Sequence, residues 1–344
     1  MFNLRAAIAL ATTAGLLCSC GALAAAADRP IAWIRSGGGA FERELAGGAR
    51  RGLRLAAVSD GLPCSVSVLQ APVTAADAVD YRVVPDRTLV ASLEALTAEG
   101  FVPVASTRTF GTRHEVVFER VGRGSDAGTW QVIEFERLDT LDAAVAAAAE
   151  EGFRVRLLVR PAFRSFPGLS EKGLLLAVRT GTSRDTRVLF ATKKDVKELA
   201  RDLTAATAEG WQFDVLFTNA RDGGAAGRRE RATVLLSRGR PDALAPVPLT
   251  IERRATFGRV GDVVVGAAAY WDEYLFVSRQ AERRQAWATP LRVSRDDAEC
   301  GALGFGFRFD APRDQTYDVV ALLARPVPSG GFEMLVVTNQ RLGF

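Results

Sequence analysis

Any nucleophilic triad in this 344-residue chain would have to be built on one imidazole, because His114 is the only histidine. A Ser-His-Asp or Cys-His arrangement uses histidine as its general base, and nothing near His114 in sequence supports either. His114 therefore reads as a surface or cross-strand residue of a strand from His114 to Glu119. A single histidine excludes a His-rich zinc centre, and no D-x-D-x-D-G loop offers a carboxylate site for a metal. Gly37-Gly38-Gly39 fits neither the G-x-x-x-x-G-K-[ST] nor the G-x-G-x-x-G phosphate loop. No catalytic residue, metal or cofactor is expected, and the balance leans away from an enzyme. Two patches remain as candidate binding surfaces. Trp271-Asp272-Glu273, between Tyr270 and Tyr274, is the densest aromatic–acid cluster. It either lines a pocket or forms a turn with its rings packed inward. Arg228 and Arg229 lie in a glycine-rich, basic loop over 219–231, which either meets an anionic surface or is a solvated hairpin tip. The alternative to a non-catalytic protein is a periplasmic carboxylate-dependent hydrolase with its site around Tyr270 to Tyr274.

The cysteines bear on compartment and covalent chemistry. Residues 1–27 have the order of an export signal: Arg5, an apolar run from Ala6 to Leu17, then small residues at Ala22 to Ala27. The run is too short for a membrane span, so the expectation is a periplasmic or secreted protein. Leu17-Cys18-Ser19-Cys20 adds an alternative, lipidation of Cys20 and anchoring in the bacterial envelope. Cleavage after the alanines leaves Cys64 and Cys300. In an oxidising compartment they either form one disulfide closing a very long loop or stay as separate thiols.

The net charge is +4, carried mostly by arginine and interspersed with acids. No basic stripe with interleaved aromatics is present, so nucleic acid is not an expected partner. The expected partner is a protein or an envelope polymer, with membrane contact only through a lipid anchor.

The elements that must position any site follow a recurring plan. Thr207-Ala208-Glu209-Gly210-Trp211 has near duplicates in Thr97-Ala98-Glu99-Gly100-Phe101 and Ala149-Glu150-Glu151-Gly152-Phe153. Each ends a run with one apolar helical face: Val196, Leu199, Ala200, Leu203 and Ala206 in one, Leu89, Leu93 and Leu96 in another, and Leu141, Ala144, Val145 and Ala148 in the third. Thr192, Asp86 and Thr140 are the expected N-caps, and each glycine fits a left-handed helix stop. Glu99, Glu151 and Glu209 sit unfavourably at the negative end of the helix dipole. A strand precedes each helix and two strands follow it. Pro103 cannot donate to a ladder, so its strand belongs at an edge or the proline at a strand start.

This strand, a helix ending in Ala-Glu-Gly-Trp or Phe, then two strands resembles a small bacterial βαββ domain family of uncharacterised function. The resemblance covers about half the chain and implies no site residues. The expected fold is α+β: tandem βαββ repeats, each a small antiparallel sheet with one helix packed on it. The expected boundaries are a signal peptide at 1–27, a degenerate first unit at 28–71, units at 80–123, 129–181 and 186–240, and a divergent region at 241–344. That last region reads as strands at Leu249–Arg253, Asp262–Ala268 and Glu273–Ser278. A short helix near Asp296–Leu303 and strands at Tyr317–Leu323 and Phe332–Val337 would follow, or alternatively a strand at Phe305–Asp310. Units this small pack in pairs or as an array. Repetition without a catalytic constellation points to binding or scaffolding in the bacterial envelope.

Overall fold

The computed structural model describes residues 31–36, 40–60, 65–70, 79–109, 113–122, 127–164, 170–192, 195–221, 229–239, 247–254, 258–259, 263–270, 273–280, 286–293, 317–326 and 332–340. Residues 1–27, expected to be an export signal, lie outside them with Cys20, Cys64 and Cys300, as do Trp271, Asp272, Arg228 and the 296–303 and 305–310 segments.

The fold is α+β, made mostly of three-stranded antiparallel sheets with helices between strands. The first group has β1 (Ile31–Ser36), α1 (Ala40–Ala49), β2 (Arg54–Asp60) and β3 (Ser65–Gln70). The second has β4 (Val79–Pro85), α2 (Asp86–Ala98), β5 (Val102–Thr109) and β6 (Arg113–Val121). The third has β7 (Trp130–Phe135), α3 (Leu138–Glu150) and β8 (Phe153–Arg160), a small hairpin of β9 (Phe163–Arg164) and β10 (Ser170–Glu171), and then β11 (Gly173–Arg179). The fourth has β12 (Arg184–Thr192), α4 (Val196–Ala208), β13 (Gln212–Arg221) and β14 (Arg229–Gly239). In the fifth, β15 (Leu249–Arg254) is followed by the short β16 (Gly258–Arg259), β17 (Val263–Tyr270) and β18 (Glu273–Arg279). The sixth contributes β19 (Ala286–Val293), β20 (Tyr317–Pro326) and β21 (Phe332–Gln340).

In every group the third long strand lies between the first and the second: β1-β3-β2, β4-β6-β5, β7-β11-β8, β12-β14-β13, β15-β18-β17 and β19-β21-β20. The second strand of each group is bulged, which leaves Ala56, Val104, Arg156, Asp214, Val265 and Val320 without a partner in the ladder, and β8 has a second irregularity at Val159. A bulge adds local twist and bend. Pro103 lies beside the bulge in β5, an edge strand of its sheet, where its missing N–H costs no ladder bond.

The groups form a closed ring rather than an open array. β2 touches β5, β5 touches β8, β8 touches β13, β13 touches β17 and β17 touches β20. Then β20 pairs in parallel with β2, Ser59 opposite Leu322 and Asp60 opposite Leu323. Each helix packs on the first strand of its own group and of the next. A helix is about 10 Å across and separates successive first strands, whereas successive second strands touch. The second strands therefore make the inner circle and the helices and first strands the outer one. Closure could not be read from the sequence, because neither the bulges nor the contacts between second strands leave a residue-type signature.

The cores lie between groups, not within them. Leu199, Leu203 and Leu236 of the fourth group pack with Leu249, Ile251, Leu275 and Val277 of the fifth. Phe135, Leu141 and Leu175 of the third meet Phe217 and Leu235 of the fourth. Leu89, Phe101 and Phe118 of the second meet Val159, Leu174 and Leu176 of the third. Phe41, Leu45 and Leu69 of the first meet Tyr81 and Val117 of the second. Tyr274 and Phe276 of the fifth meet Leu323, Leu335 and Val337 of the sixth. At the closing joint, Ala57 meets Val319, Leu322 and Val336. The central strands β6, β11, β14, β18 and β21 are thus covered on both faces and read as continuous buried runs, as in Gly173–Ala177 and Met334–Thr338.

Helices also guard the open edge of the next sheet, where unpaired N–H and C=O groups would be exposed. Glu42 of α1 accepts from the Val83 N–H at 3.0 Å. On α4, Thr207 Oγ1 accepts from the Leu249 N–H at 3.0 Å and Thr204 Oγ1 donates to the Leu249 carbonyl at 2.9 Å. In the fifth group the described residues between the first two long strands form the short β16, which pairs with β19 of the sixth group.

The glycine stops hold, at φ 75° for Gly52, 86° for Gly100 and Gly152, and 89° for Gly210. Beyond them the aromatic N–H closes the last turn, Phe101 to the Leu96 carbonyl at 2.9 Å and Trp211 to the Ala206 carbonyl at 3.1 Å. Over each aromatic lies an arginine from the third strand: Arg120 at 4.6 Å from the Phe101 ring, Arg179 at 5.9 Å from Phe153 and Arg238 at 4.7 Å from Trp211. Arg120 also donates to the Glu99 carbonyl at 3.3 Å, supplying the positive partner that this helix end needs.

The expected N-caps are corrected. A cap must be the extended residue just before the first turn, and those places are taken by Pro85 (ψ 142°) and Arg137 (ψ 160°). Asp86 is the first helical residue instead. Thr140 lies one turn in and bonds back, accepting from the Arg137 N–H at 3.2 Å. Thr192 ends β12, and Asp195 precedes α4 without a side-chain cap bond.

Gly173 lies under Phe135, and a Cβ there would fall 2.1 Å from the ring. Phe135 is 2% exposed and has no free volume to retreat into. Gly173→Ala is expected to lower stability by about 1–3 kcal/mol, with much of the loss recovered by adding Phe135→Leu. Equal losses in both backgrounds, measured by urea unfolding, would show that the ring is not the obstacle.

Candidate arginine site between the third and fourth groups

Two places on the ring collect charged side chains. At the joint of the first and second groups, Glu119 is 3% exposed and receives the Arg54 guanidinium and the Tyr81 hydroxyl, the latter at 2.9 Å. Tyr81 Oη in turn accepts from the Leu55 N–H at 2.8 Å. Burial, with Glu119 beside it, pushes the Tyr81 hydroxyl well above the ordinary range for a phenol. Outside this triad, an open groove of about 530 Å³ is lined by Glu42, Arg43, Asp80, Arg82 and Glu115 among others. Its charges offset one another: Arg120 pairs with Asp80 at 2.6 Å and Arg82 with Glu42 at 3.5 Å. Glu119, Arg54 and Tyr81 thus tie the two groups together.

The joint of the third and fourth groups is different. Gly152 ends α3 and directs β8 so that Arg154 and Arg156 follow two and four residues later, Arg156 being the bulged residue. Asp214 is the bulged residue of β13, and Arg184 opens β12. The Asp214 carboxylate is 2% exposed and accepts from Arg154 Nε at 2.5 Å and from the Ser237 hydroxyl at 3.0 Å. Arg154 Nη2 also donates to the Phe213 carbonyl at 3.1 Å, beside the bulge. Arg184 Nη2 donates to Gln212 Oε1 at 3.1 Å, while its Nε is buried and makes no hydrogen bond among the described residues. Arg156 is exposed.

The electrostatics follow from this inventory. Burial pushes the Asp214 carboxyl up from its usual range, against the pull of Arg154, Ser237 and Arg184. Burial, reinforced by the charge of Arg154, pushes the guanidinium groups of both Arg156 and Arg184 down. Three guanidinium groups thus share one carboxylate, which leaves two positive charges without a carboxylate of their own.

The residues singled out from the sequence lie elsewhere. His114 is on β6, 7% exposed and opposite Arg108, so it is a buried cross-strand residue rather than a surface one. Glu273 opens β18 and is ion-paired with Arg253. Arg229 opens β14 opposite Arg221. Among the described residues no group of three or more His, Cys, Asp or Glu could hold a metal. No described helix is long and apolar enough to cross a membrane. The arginine cluster left one signal in the sequence, charges inside otherwise apolar strands: Phe-Arg-Val-Arg-Leu-Leu at 153–158 and Gln-Phe-Asp-Val-Leu-Phe at 212–217.

Comparison with protein-family models, with curated proteins and with solved structures finds no match.

Proposed function

We propose that this chain is an exported protein of the bacterial envelope, built from tandem βαββ units closed into a ring, that binds and scaffolds a partner rather than transforming it. The observation that carries this reading is the shared plan of the six groups. Their strand order is the same, and the bulged residue lies four positions after Gly52, Gly100, Gly152, Gly210 and Gly261 in five of them. Six variations on one unit, resembling a small bacterial βαββ domain family, are what duplication of a binding module produces. Such a ring presents loops to a protein or envelope polymer. Nucleic acid is not among its partners, and it meets a membrane only through a lipid on Cys20.

Export is supported by the order of residues 1–27. A disulfide between Cys64 and Cys300, which lie outside the described residues, would close a loop of more than 200 residues and contribute about 5 kcal/mol in the chain-entropy picture.

Intact mass of the protein from its native host, with alkylation before and after reduction, tests this. The expected mass is that of a chain starting near Asp28 whose two cysteines react only after reduction. A diacylated or triacylated Cys20 would keep the envelope assignment and make the ring membrane-anchored. A mass starting at Met1 with free thiols would overturn export.

A further inference from the structure

We propose that the joint of the third and fourth groups binds a tetrahedral dianion, inorganic phosphate or a phosphate monoester, between Arg156 and Arg184. The proposal rests on the reading of the ring as a binding protein and names the ligand class of its arginine site. Asp214 engages Arg154 and Ser237, and Arg154 spends its remaining contact on the Phe213 carbonyl. Arg184 keeps a buried Nε donor unused among the described residues, and Arg156, whose charge acts on Arg184, follows Arg154 by two residues on β8 and reaches solvent. A buried guanidinium donor without an acceptor is costly, and an incoming oxyanion removes that cost.

The charge inventory selects the ligand. Three guanidinium groups and one carboxylate sum to two positive charges, which a dianion neutralises and a monoanion does not. Guanidinium forks match phosphate oxygens with paired N–H donors. The exposure of Arg156 leaves a route from solvent. Burial first, and the charge of Arg154 after it, pushes the guanidinium groups of Arg156 and Arg184 down, and an anion among them opposes both effects. Phosphodiesters carry a single charge and should be rejected. A monoester loses its second charge below a pKa of about 6, so binding should weaken as pH falls through that value.

Calorimetry on the full-length protein at low salt tests this with inorganic phosphate, phenyl phosphate and dimethyl phosphate. The expected result is binding of the first two, with dimethyl phosphate weaker by roughly tenfold or more. Arg156→Gln, an exposed and foldable change, should weaken phosphate by about tenfold, and Arg156→Lys should recover part of that because it restores charge without the fork. No heat with phosphate, equal affinity for dimethyl phosphate, or an unaltered Arg156→Gln would each overturn the site. Release of phenol from phenyl phosphate, lost in Arg156→Gln, would instead leave the anion site standing and overturn the non-catalytic reading.

Discussion

Deleting residues 286–344, the sixth group, is expected to unfold the protein rather than shorten it. In an open solenoid a terminal unit contributes one interface, and its loss trims stability locally. Here the deletion opens two joints at once. Val264, Tyr274 and Phe276 of the fifth group, each 1–3% exposed, lose Leu323, Leu335 and Val337. At the other end Ala57 loses Val319, Leu322 and Val336, and β2 loses its paired edge at Ser59 and Asp60. Because each core is shared between neighbours, exposing one face of a group removes half of what holds it. Circular dichroism and thermal unfolding check this. The truncated chain should show no cooperative transition and should bind hydrophobic dyes. A single sharp transition within about 5 °C of the parent, a shift equivalent to about 3–4 kcal/mol for a chain of this size, would refute closure as a source of stability.

Leu203→Ala is expected to cost about 2–5 kcal/mol, the range for a fully buried leucine in a tightly packed site. Leu203 is 0% exposed and lies in the core that joins the fourth group to the fifth. The informative result is its coupling. Leu275 is also 0% exposed and belongs to the same core from the next group, so Leu203→Ala with Leu275→Ala should depart from additivity by about 0.5–3 kcal/mol. Leu335 lies in the next core around the ring, and Leu203→Ala with Leu335→Ala should add to within about 0.5 kcal/mol. Urea unfolding of the three single and two double variants measures both. Additivity in both pairs would mean that the cores are not shared across the joint in solution.

Much of the local structure was legible. The apolar spacing of Leu199, Leu203 and Ala206 marked a helix, and Gly100, Gly152 and Gly210 marked where helices stop, because only the left-handed region lets the chain turn there without a Cβ clash. The strands from Trp130 to Phe135 and from Leu249 to Arg253 followed from alternation and β-branching. The caps were misread because a side chain that can cap does not say where the backbone leaves the extended region, and Pro85 and Arg137 hold that place. The 219–231 loop drew attention to Arg228 and Arg229 by local density. The actual cluster assembles Arg154, Arg184 and Asp214 from three strands far apart in the chain. Proximity of that kind is set by the bulges and by the contact of β8 with β13, and hydrophobic period encodes neither.

The ring also constrains how such a gene can change. A stacked array lengthens or shortens by whole units through unequal recombination, since its ends are free. In a hoop whose second strand in every group bends at a bulge, the wedge angles already sum to a full turn. One unit more would overlap and one fewer would gap, so recombination between units yields chains that do not close. Length variation among descendants of this protein should therefore collect in the hairpin tips, such as the one that carries β9 and β10, while the count of units stays at six.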